Sequence, residues 1–245
     1  MGIYGRGTNT NTIKYFLTIL RNCSILLNMK LVCLSDTHGF HKRLVVPDGD
    51  FLIHVGDFSM RATSPQVCEF ARWFKALPHT HKIIVAGNHD VVLEGDRRWA
   101  KEEFAPAHYL AHERVILGGL TFFGSPFSPA IRDPSDWSFD YPPDSDRSRD
   151  LWDNIPKRID VLITHGPPKG ILDRVNDPHP GEDPNVGDVN LLRRVMEIQP
   201  RAHIFGHIHE GFGTYQHPTK RTRFFNVSVC DVNYKPTNPI TVFDL

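Results

Sequence analysis

The hydrophobic pattern of this 245-residue chain alternates between short apolar runs and longer segments with helical spacing. Five runs are short and continuous, which is typical of β-strands buried on both faces of a parallel or mixed sheet. They lie at residues 31–34, 51–55, 82–86, 160–163 and 203–205. Residues 65–77 and 189–198 instead place apolar side chains on one helical stripe, with Ser64 and Asp188 as predicted N-caps. This alternation predicts an α/β fold.

Further apolar segments predict a second sheet. Residues 115–117 and 120–123 are apolar runs separated by a Gly-Gly pair, which is a β-hairpin signal. Residues 224–229 and 240–243 predict two more strands. We therefore predict two packed mixed β-sheets, a sandwich flanked by helices, in one domain over residues 29–245.

Residues 1–28 precede the first predicted strand. Their apolar part, residues 13–27, is interrupted by Arg21 and is too short and too polar for a transmembrane helix. Lys14 before an apolar run is also found in signal peptides, but no convincing small-residue cleavage site follows. We predict a dispensable N-terminal extension, so that a chain starting at Met29 folds and is active. The alternative is that this segment docks as a helix on the core or mediates association.

Composition narrows the class of protein. The formal net charge is zero, which provides no electrostatic footprint for a nucleic acid. The four cysteines show no CxxC pairing, as is usual in the cytosol, so we predict a cytoplasmic protein. His54 and His203 lie inside apolar runs, where we predict hydrogen-bonded core histidines rather than ligands.

A short polar cluster follows each of the five apolar runs. The clusters are Asp36-Thr37-His38, Gly56-Asp57, Gly87-Asn88-His89-Asp90, Thr164-His165-Gly166 and Gly206-His207-Ile208-His209. Seven of their side chains, two Asp, one Asn and four His, are ligand types of borderline-hard divalent metals. Seven ligands are too many for one tetrahedral site. They suit two metals that share a bridging carboxylate, an arrangement that cleaves phosphate esters by in-line attack of water.

The position of the clusters favours a shared site. In an open α/β sheet, ligands bind beyond the carboxyl ends of the strands. A single cluster is also explained as a turn, because Asn, Asp and Gly favour turns, but five at strand ends are not. The glycines that open three of the clusters let the backbone turn sharply and approach a metal or phosphate closely. Strand alternation further predicts that Asp36 and His38 point the same way, as do His207 and His209.

The clusters resemble the five signature motifs of the calcineurin-like metallophosphoesterase superfamily, D-x-H, G-D, G-N-H-D/E, an isolated H and G-H-x-H. All five are present in this order. A narrower resemblance, to metallophosphoesterase-domain-containing proteins related to class III cyclic-nucleotide phosphodiesterases, rests on residues 34–39, 164–173, 205–211 and 226–245. Some members of that group carry Gly in place of the last motif His and are weak enzymes, whereas this chain keeps His209.

The resemblance implies a calcineurin-like fold and a role for each motif residue. The implied ligands are Asp36, His38 and His209 for one metal, Asn88, His165 and His207 for the other, and Asp57 as the bridge. His89 would face the phosphate, where it stabilises the developing charge or protonates the leaving oxygen, and Asp90 would orient His89. The attacking group would be a hydroxide held between the two metals.

We therefore predict a hydrolase that cleaves small phosphodiesters, such as cyclic nucleotides, with two divalent metal ions. Residues 125–150 and 167–187 are long, irregular and rich in Pro, Asp, Ser and Gly, so we predict loops that frame the site. They offer no long basic groove for a phosphoprotein or a nucleic acid. The expected partner is the small phosphoester alone, with neither a nucleic acid polymer nor a membrane.

Two alternatives stay open. One is a phosphomonoesterase or phosphoprotein phosphatase. The other is a weakly active metal- or nucleotide-binding scaffold, which the intact His89 and His209 argue against. The metal is manganese, iron or zinc, because Asp, Asn and His accept all three.

Overall fold

The structure is a computed structural model that describes residues 28–131, 137–178 and 180–245. The strands in these ranges are β1 (Lys30–Leu34), β2 (Phe51–Val55), β3 (His81–Val85), β4 (His108–Tyr109), β5 (Glu113–Leu117), β6 (Leu120–Ser125), β7 (Ser128–Pro129), β8 (Asp140–Tyr141), β9 (Val161–Thr164), β10 (Ala202–Phe205), β11 (Gly213–Gln216), β12 (Arg223–Asn226) and β13 (Thr241–Asp244). The α-helices are α1 (Ser64–Ala76), α2 (Val92–Gly95), α3 (Arg97–Phe104), α4 (Asp146–Asp153) and α5 (Val189–Ile198). Short 3-10 helices lie at His41–Arg43 and His209–Gly211.

The first sheet has the strand order β13-β1-β2-β3-β4. Strands β1 to β4 run parallel, and β13 pairs antiparallel with β1. Helix α1 connects β2 to β3, as the alternation of strand and helix predicts. The predicted N-cap of this helix, Ser64, is wrong by one residue, because Thr63 caps the helix through a capping box with Gln66.

The second sheet has the strand order β11-β12-β10-β9-β6-β5. Strands β6, β9, β10 and β12 run parallel, whereas the hairpin β5–β6 is antiparallel, as predicted. Its turn residues Gly118 and Gly119 have φ values of +55° and +79°, which glycine adopts without strain.

The chain crosses from the second sheet to the first directly after β12. The strand predicted at 224–229 is therefore split, because β12 ends at Asn226 and Ser228 forms a β-bridge with Ser35 beyond β1. The Val229 N–H donates to the Ser35 carbonyl at 3.0 Å. This crossing links the two sheets at the edge where the polar clusters lie.

Strand residues alternate between two apolar layers, because successive side chains point to opposite faces of a sheet. In β1, Leu31 and Cys33 pack between the two sheets, whereas Val32 and Leu34 pack with α1 and α3. Helices α4 and α5 cover the outer face of the second sheet, where Trp152 is fully buried. Two mixed sheets flanked by helices confirm the predicted α/β sandwich.

His54 and His203 are core histidines, as predicted. Their Nε2 atoms hydrogen bond to the hydroxyls of Thr37 (3.1 Å) and Thr164 (2.8 Å). Both side chains are fully buried, and burial lowers the pKa of each imidazole to about 3. Both histidines are therefore neutral in the folded protein at neutral pH.

The neutral imidazole of His203 makes the folded state sensitive to acid. Its pKa is about 6.5 in an unfolded chain and about 3 in the folded protein. The unfolded state therefore binds more protons between these values, and stability falls as the pH drops below about 6.5. When the pH is lowered from about 7.5 to about 5, the free energy of unfolding should fall in both proteins. We expect the fall in His203→Phe to be about 2 kcal/mol smaller than the fall in the wild type, because the variant lacks this imidazole. Urea denaturation at both pH values measures this, and equal losses would contradict it.

Three further predictions concern the chain as a whole. No helix within residues 28–131, 137–178 and 180–245 is long and apolar enough to cross a membrane. Residues 1–27 lie outside the described residues, so a dispensable N-terminal extension stays a prediction. Cys33 and Cys230 are free, buried thiols. A cytoplasmic location also stays a prediction.

Candidate metal centre

The carboxyl ends of five strands meet at one edge of the sandwich and bring the five polar clusters together. The segments after β1, β2 and β3 come from the first sheet, and those after β9 and β10 from the second. Three groups of side chains there have ligand atoms within 4.8 Å of one another. The groups are Asp36, His38 and His209; His38, Asp57 and His89; and Asp57, His165 and His207. Because neighbouring groups share a member, they form one continuous cluster.

Several of these side chains belong to residues with a left-handed backbone conformation, which sets their direction in place of strand alternation. Strand β1 has already ended at Asp36 and His38, where φ is +52° and +40°. His207 has φ +68°, and it joins a different ligand group from His209. The prediction that His207 and His209 point the same way is therefore wrong, because the chain turns sharply as it leaves the strand. Asp36 and His38 still fall in one ligand group.

Two glycines allow the chain to pack directly against the ligand carboxylates. A β-carbon on Gly206 would lie 2.3 Å from Asp36 Oδ2, and one on Gly87 would lie 2.2 Å from Asp57 Oδ1. Both distances are far shorter than van der Waals contact, so a side chain at either position would displace a ligand. The close approach predicted for these glycines is thus made to the carboxylates themselves.

Backbone carbonyls orient four of the imidazoles. The Nδ1 contacts are His38 to Ser59 (3.2 Å), His89 to Met60 (2.7 Å), His165 to Val55 (2.8 Å) and His209 to Asp231 (2.9 Å). A carbonyl only accepts, so Nδ1 carries the proton in each neutral ring. Nε2 is therefore the atom that could bind a metal in His38, His165 and His209, and in His89 it is the atom free to face the phosphate. His207 is turned the other way, with Nδ1 3.1 Å from Asn88 Oδ1. Its Nε2 is buried and has no hydrogen-bond partner in the described part of the chain.

Asp57 lies at the centre of the cluster. Its Oδ2 is 3.4 Å from His165 Nε2 and 4.0 Å from His38 Nε2, so it adjoins two ligand groups. Its Oδ1 accepts a hydrogen bond from the His89 N–H at 2.9 Å. Asn88 extends the group on one side, with Oδ1 3.0 Å from His165 Nε2.

Asp36 is anchored by donors from both sheets. Its Oδ2 accepts hydrogen bonds from Ser228 Oγ (2.8 Å) and from the His207 N–H (3.1 Å). The neighbouring Ser35 hydroxyl donates to the same oxygen. Its Oδ1 lies 3.6 Å from His209 Nε2. Sequence analysis did not identify Ser228, because it reaches the site only through the crossing after β12.

The carboxylates and imidazoles shift one another's pKa values. Burial would raise the pKa of Asp36 and Asp57, but the adjacent imidazoles outweigh it and hold both pKa values well below the ordinary carboxyl value. Burial would lower the pKa of His165, but the Asp57 carboxylate raises it to about 10. In the same way, Asp36 raises the pKa of His209 to about 9 against the effect of burial. Burial lowers the pKa of His207 to about 3.

This charge pattern fits divalent cations. Two ionised carboxylates sit beside two imidazoles that take up protons readily, so the centre attracts positive charge. A cation bound to the same atoms would replace those protons. The donor set of carboxylate, amide and imidazole also suits manganese, iron or zinc.

Metal binding should therefore release protons. On addition of Mn²⁺ or Zn²⁺ to metal-free protein at about pH 7.5, we expect release of about two protons, from His165 and His209. Calorimetry in two buffers of different ionisation enthalpy measures the number. Metal affinity should fall as the pH drops, and excess metal should partly restore activity lost below about pH 6. Binding without proton release would contradict the charges assigned to these imidazoles.

Asp90 supports the backbone of the site rather than the His89 imidazole. Its Oδ2 accepts the N–H groups of Asp57 and Gly87, each at 2.9 Å. The Met60 carbonyl, not Asp90, holds the His89 ring. The prediction that Asp90 orients His89 is therefore wrong, because the turn directs this carboxyl toward the backbone N–H groups of Asp57 and Gly87. Burial and the Asp57 charge raise the pKa of Asp90 well above its ordinary value.

A cavity of about 550 Å³ lies against the cluster. Its floor includes Asp57, Asn88, His89, His207 and His209. The segments predicted to frame the site supply its walls, with Trp137 and Asp140 from one and Val175, Asp177 and Val186 among those from the other. The prediction that both segments frame the site is confirmed for their described residues, but 125–150 is not irregular throughout, because it contains β7, β8 and the start of α4.

Two aromatic residues at this cavity were not identified from the sequence. The Trp137 ring packs against His89 at a tilt of 30°, with ring centroids 4.1 Å apart, and the Arg61 guanidinium lies 5.4 Å from the centre of the Trp137 ring. Tyr234 packs edge-on against His38 with centroids 4.8 Å apart. Both are single aromatics in irregular segments, where no periodicity marks them.

A His- and Asp-rich metal centre at the strand ends of a two-sheet α/β sandwich defines the class of protein. The sequence profile of the calcineurin-like phosphoesterases matches residues 29–211, and the chain belongs to this family, whose members are hydrolases of phosphate esters.

The relatives agree with the narrower resemblance. The chain is 37% identical over 243 residues to metallophosphoesterase domain-containing protein 1 of Homo sapiens, which covers 88% of this chain and 71% of that protein. It is 34% identical over 230 residues to UPF0046 protein K07C11.7 of Caenorhabditis elegans, with 88% and 75% covered. The match to the family begins at residue 29, after the segment predicted to be dispensable.

Solved structures share the fold. TT1561 of Thermus thermophilus superposes with a TM-score of 0.58 at 15% identity, covering 89% of this chain and 99% of that chain. The phosphopantetheinyl hydrolase of Mycobacterium tuberculosis superposes with a TM-score of 0.57 at 15% identity, covering 90% and 97%. At this identity the similarity shows the fold alone.

Proposed function

We propose that this protein is a phosphodiesterase that uses two divalent metal ions to hydrolyse small phosphodiesters. The position of Asp57 carries the proposal. Its Oδ2 lies between the two ligand groups, 3.4 Å from His165 Nε2 and 4.0 Å from His38 Nε2. One carboxylate shared by two sets of ligands is how proteins hold two cations side by side. The proposed ligands are Asp36, His38 and His209 for one ion, Asn88, His165 and His207 for the other, and Asp57 for both.

The chain's own residues would hold and protonate the substrate. Two divalent cations bound at this centre supply charge that stabilises phosphoryl oxygens and lowers the pKa of water. The Met60 carbonyl fixes the His89 ring so that Nε2 lies 3.9 Å from Asp57 Oδ2, at the cavity. From there His89 is placed to protonate the leaving oxygen or to stabilise charge on the phosphate. The Trp137 ring packs against the same imidazole, with ring centroids 4.1 Å apart.

The charge of the cavity supports a diester over a monoester. Its acidic wall residues are Asp140, Asp177, Glu182, Asp183 and Glu210, and among the described residues no Lys or Arg lines it. A phosphomonoester carries about two negative charges at neutral pH and a diester one, so acidic walls disfavour the monoester more. They also disfavour a nucleic acid polymer. The apolar side chains between them suit the organic substituents of a diester.

A metal titration with two substrates tests the proposal. Chelator-treated protein should be inactive, and activity should saturate at about two equivalents of Mn²⁺, Fe²⁺ or Zn²⁺. Bis-p-nitrophenyl phosphate should be turned over with a higher kcat/KM than p-nitrophenyl phosphate. Saturation at one equivalent would contradict the two-ion centre. Preference for the monoester would favour a phosphomonoesterase, and metal binding without turnover would favour a scaffold.

A further inference from the structure

Tyr234 occupies the cavity although neither the fold nor the proposed chemistry requires it. Its side chain is 40% exposed, and it lines the cavity together with His89, His209 and Val232. An aromatic ring with this exposure loses much of the free energy that burial would provide. Its position therefore calls for an explanation other than stability.

The backbone at Tyr234 is in an unfavourable conformation. Its φ is +55°, a left-handed value that is rare for bulky residues and that Gly or Asn adopts more readily. The turn imposes this value, because the Tyr234 N–H donates to the Asp231 carbonyl at 2.9 Å. Asp231 Oδ1 also accepts the N–H groups of Asn233 (2.9 Å) and Lys235 (3.0 Å). Strained residues held by their surroundings cluster at functional sites.

The same turn is tied to the metal centre. The Asp231 carbonyl that accepts the Tyr234 N–H also accepts Nδ1 of His209 at 2.9 Å. The Tyr234 ring stands edge-on to His38 and His209, with centroid distances of 4.8 Å and 5.2 Å. It is farther from His89, at 6.4 Å. One turn thus orients a proposed ligand and places an aromatic ring over the same ligand group.

We propose that Tyr234 contacts the substrate and selects for a flat, apolar substituent on the ester oxygen that is retained after hydrolysis. This inference rests on the proposed phosphodiesterase function. Of the two roles proposed for His89, protonation of the leaving oxygen places the leaving group beside this ring and the neighbouring Trp137. Tyr234 lies nearer to His38 and His209, so its ring faces the other ester group. The contact is aromatic packing, for which the ring and not the hydroxyl is needed.

Two diesters with the same leaving group isolate this contact. Bis-p-nitrophenyl phosphate and methyl p-nitrophenyl phosphate both release p-nitrophenolate but retain an aryl or a methyl group. In Tyr234→Asn, we expect the ratio of their kcat/KM values to fall by about fivefold to tenfold from the wild-type ratio, mainly through KM. Tyr234→Phe keeps the ring and should keep the ratio. Calorimetry with phenylphosphonate and methylphosphonate should show the same selective loss of affinity for the aryl ligand in Tyr234→Asn.

Stability and metal content separate this role from a structural one. Because Asn tolerates the left-handed backbone, Tyr234→Asn should melt at the same or a higher temperature than the wild type and bind the same amount of metal. Tyr215 is a matched control, since it is 39% exposed and lies outside the cavity, so Tyr215→Asn should leave the ratio unchanged. If the wild-type protein turns over diesters and the kcat/KM ratio is the same in Tyr234→Asn, this inference is overturned while the proposed function stands. Absence of diester turnover in the wild-type protein would overturn the proposed function and this inference with it.

Discussion

Asp57→Ala is expected to remove at least one metal ion and to lower kcat/KM by roughly 10³-fold or more, the upper range for loss of one electrostatic group. Asp57 Oδ2 adjoins ligand groups on both sides, within 4.0 Å of His38 Nε2 and 3.4 Å of His165 Nε2. Two cations held a few ångströms apart repel each other, and the shared carboxylate offsets that repulsion. Elemental analysis of the purified variant, beside turnover of bis-p-nitrophenyl phosphate, measures both effects.

Asp57→Asn distinguishes loss of charge from loss of structure. The amide keeps the size of the side chain and an oxygen that accepts the His89 N–H, a bond of 2.9 Å in the wild type. We expect this variant to fold, with the far-UV circular dichroism of the wild type, and yet to lose metal. Asp153, which pairs with Arg193 at the surface, is the control, and Asp153→Ala should keep full metal content and activity. Two bound metals in Asp57→Asn would show that this carboxylate is not the bridge.

Much of the fold and the composition of the centre were predictable because they depend on local patterns. A parallel strand buried on both faces is mostly apolar, with His54 and His203 as exceptions here, so a cluster of polar side chains marks its end. Parallel strands in one sheet have their carboxyl ends at one edge. The two sheets pack with these edges together, so that clusters 171 residues apart, at Asp36 after β1 and His207 after β10, meet in space. The convergence of the predicted ligands at one edge therefore followed from the positions of the strand ends.

The direction in which individual side chains point was not predictable in this way. The positive φ values at Asp36 and His38 arise from turns that tertiary hydrogen bonds hold, such as the His38 N–H to the Asp57 carbonyl at 3.0 Å. Strand alternation does not extend into such turns. Asp90 was misassigned for the same reason, because its neighbours along the chain do not reveal that its carboxyl bonds back to the N–H of Gly87.

The cavity walls were predictable as segments but not as residues. Length and composition marked 125–150 and 167–187 as loops that frame a site, because connections of that length rarely lack a function. Which side chains face inward depends on how each loop packs, as with Trp137 on His89. Tyr234 lies in neither segment. It reaches the cavity through a turn with a positive φ, which the sequence pattern does not indicate.

His89→Ala is expected to lower kcat by roughly 10²–10⁴-fold, the range for losing a general acid or a charge-stabilising donor. The Met60 carbonyl holds its ring, and Nε2 lies at the cavity, 3.9 Å from Asp57 Oδ2. Because this imidazole is assigned to the phosphate and not to a metal, metal content should stay near the wild-type value. His217→Ala, which removes a partly exposed imidazole outside the cavity, should change neither activity nor metal content.

The dependence on the leaving group distinguishes the two roles proposed for His89. If its Nε2 protonates the leaving oxygen, the loss in His89→Ala should shrink for bis-p-nitrophenyl phosphate and grow for diphenyl phosphate, because a poorer leaving group needs the proton more. Equal losses for the two diesters would assign His89 to stabilisation of charge on the phosphate. His89 also belongs to a group with His38 and Asp57 whose ligand atoms lie within 4.8 Å of one another, so it has the geometry of a ligand. If His89→Ala loses as much metal as Asp57→Ala, His89 is a metal ligand, and its assignment to the phosphate is overturned.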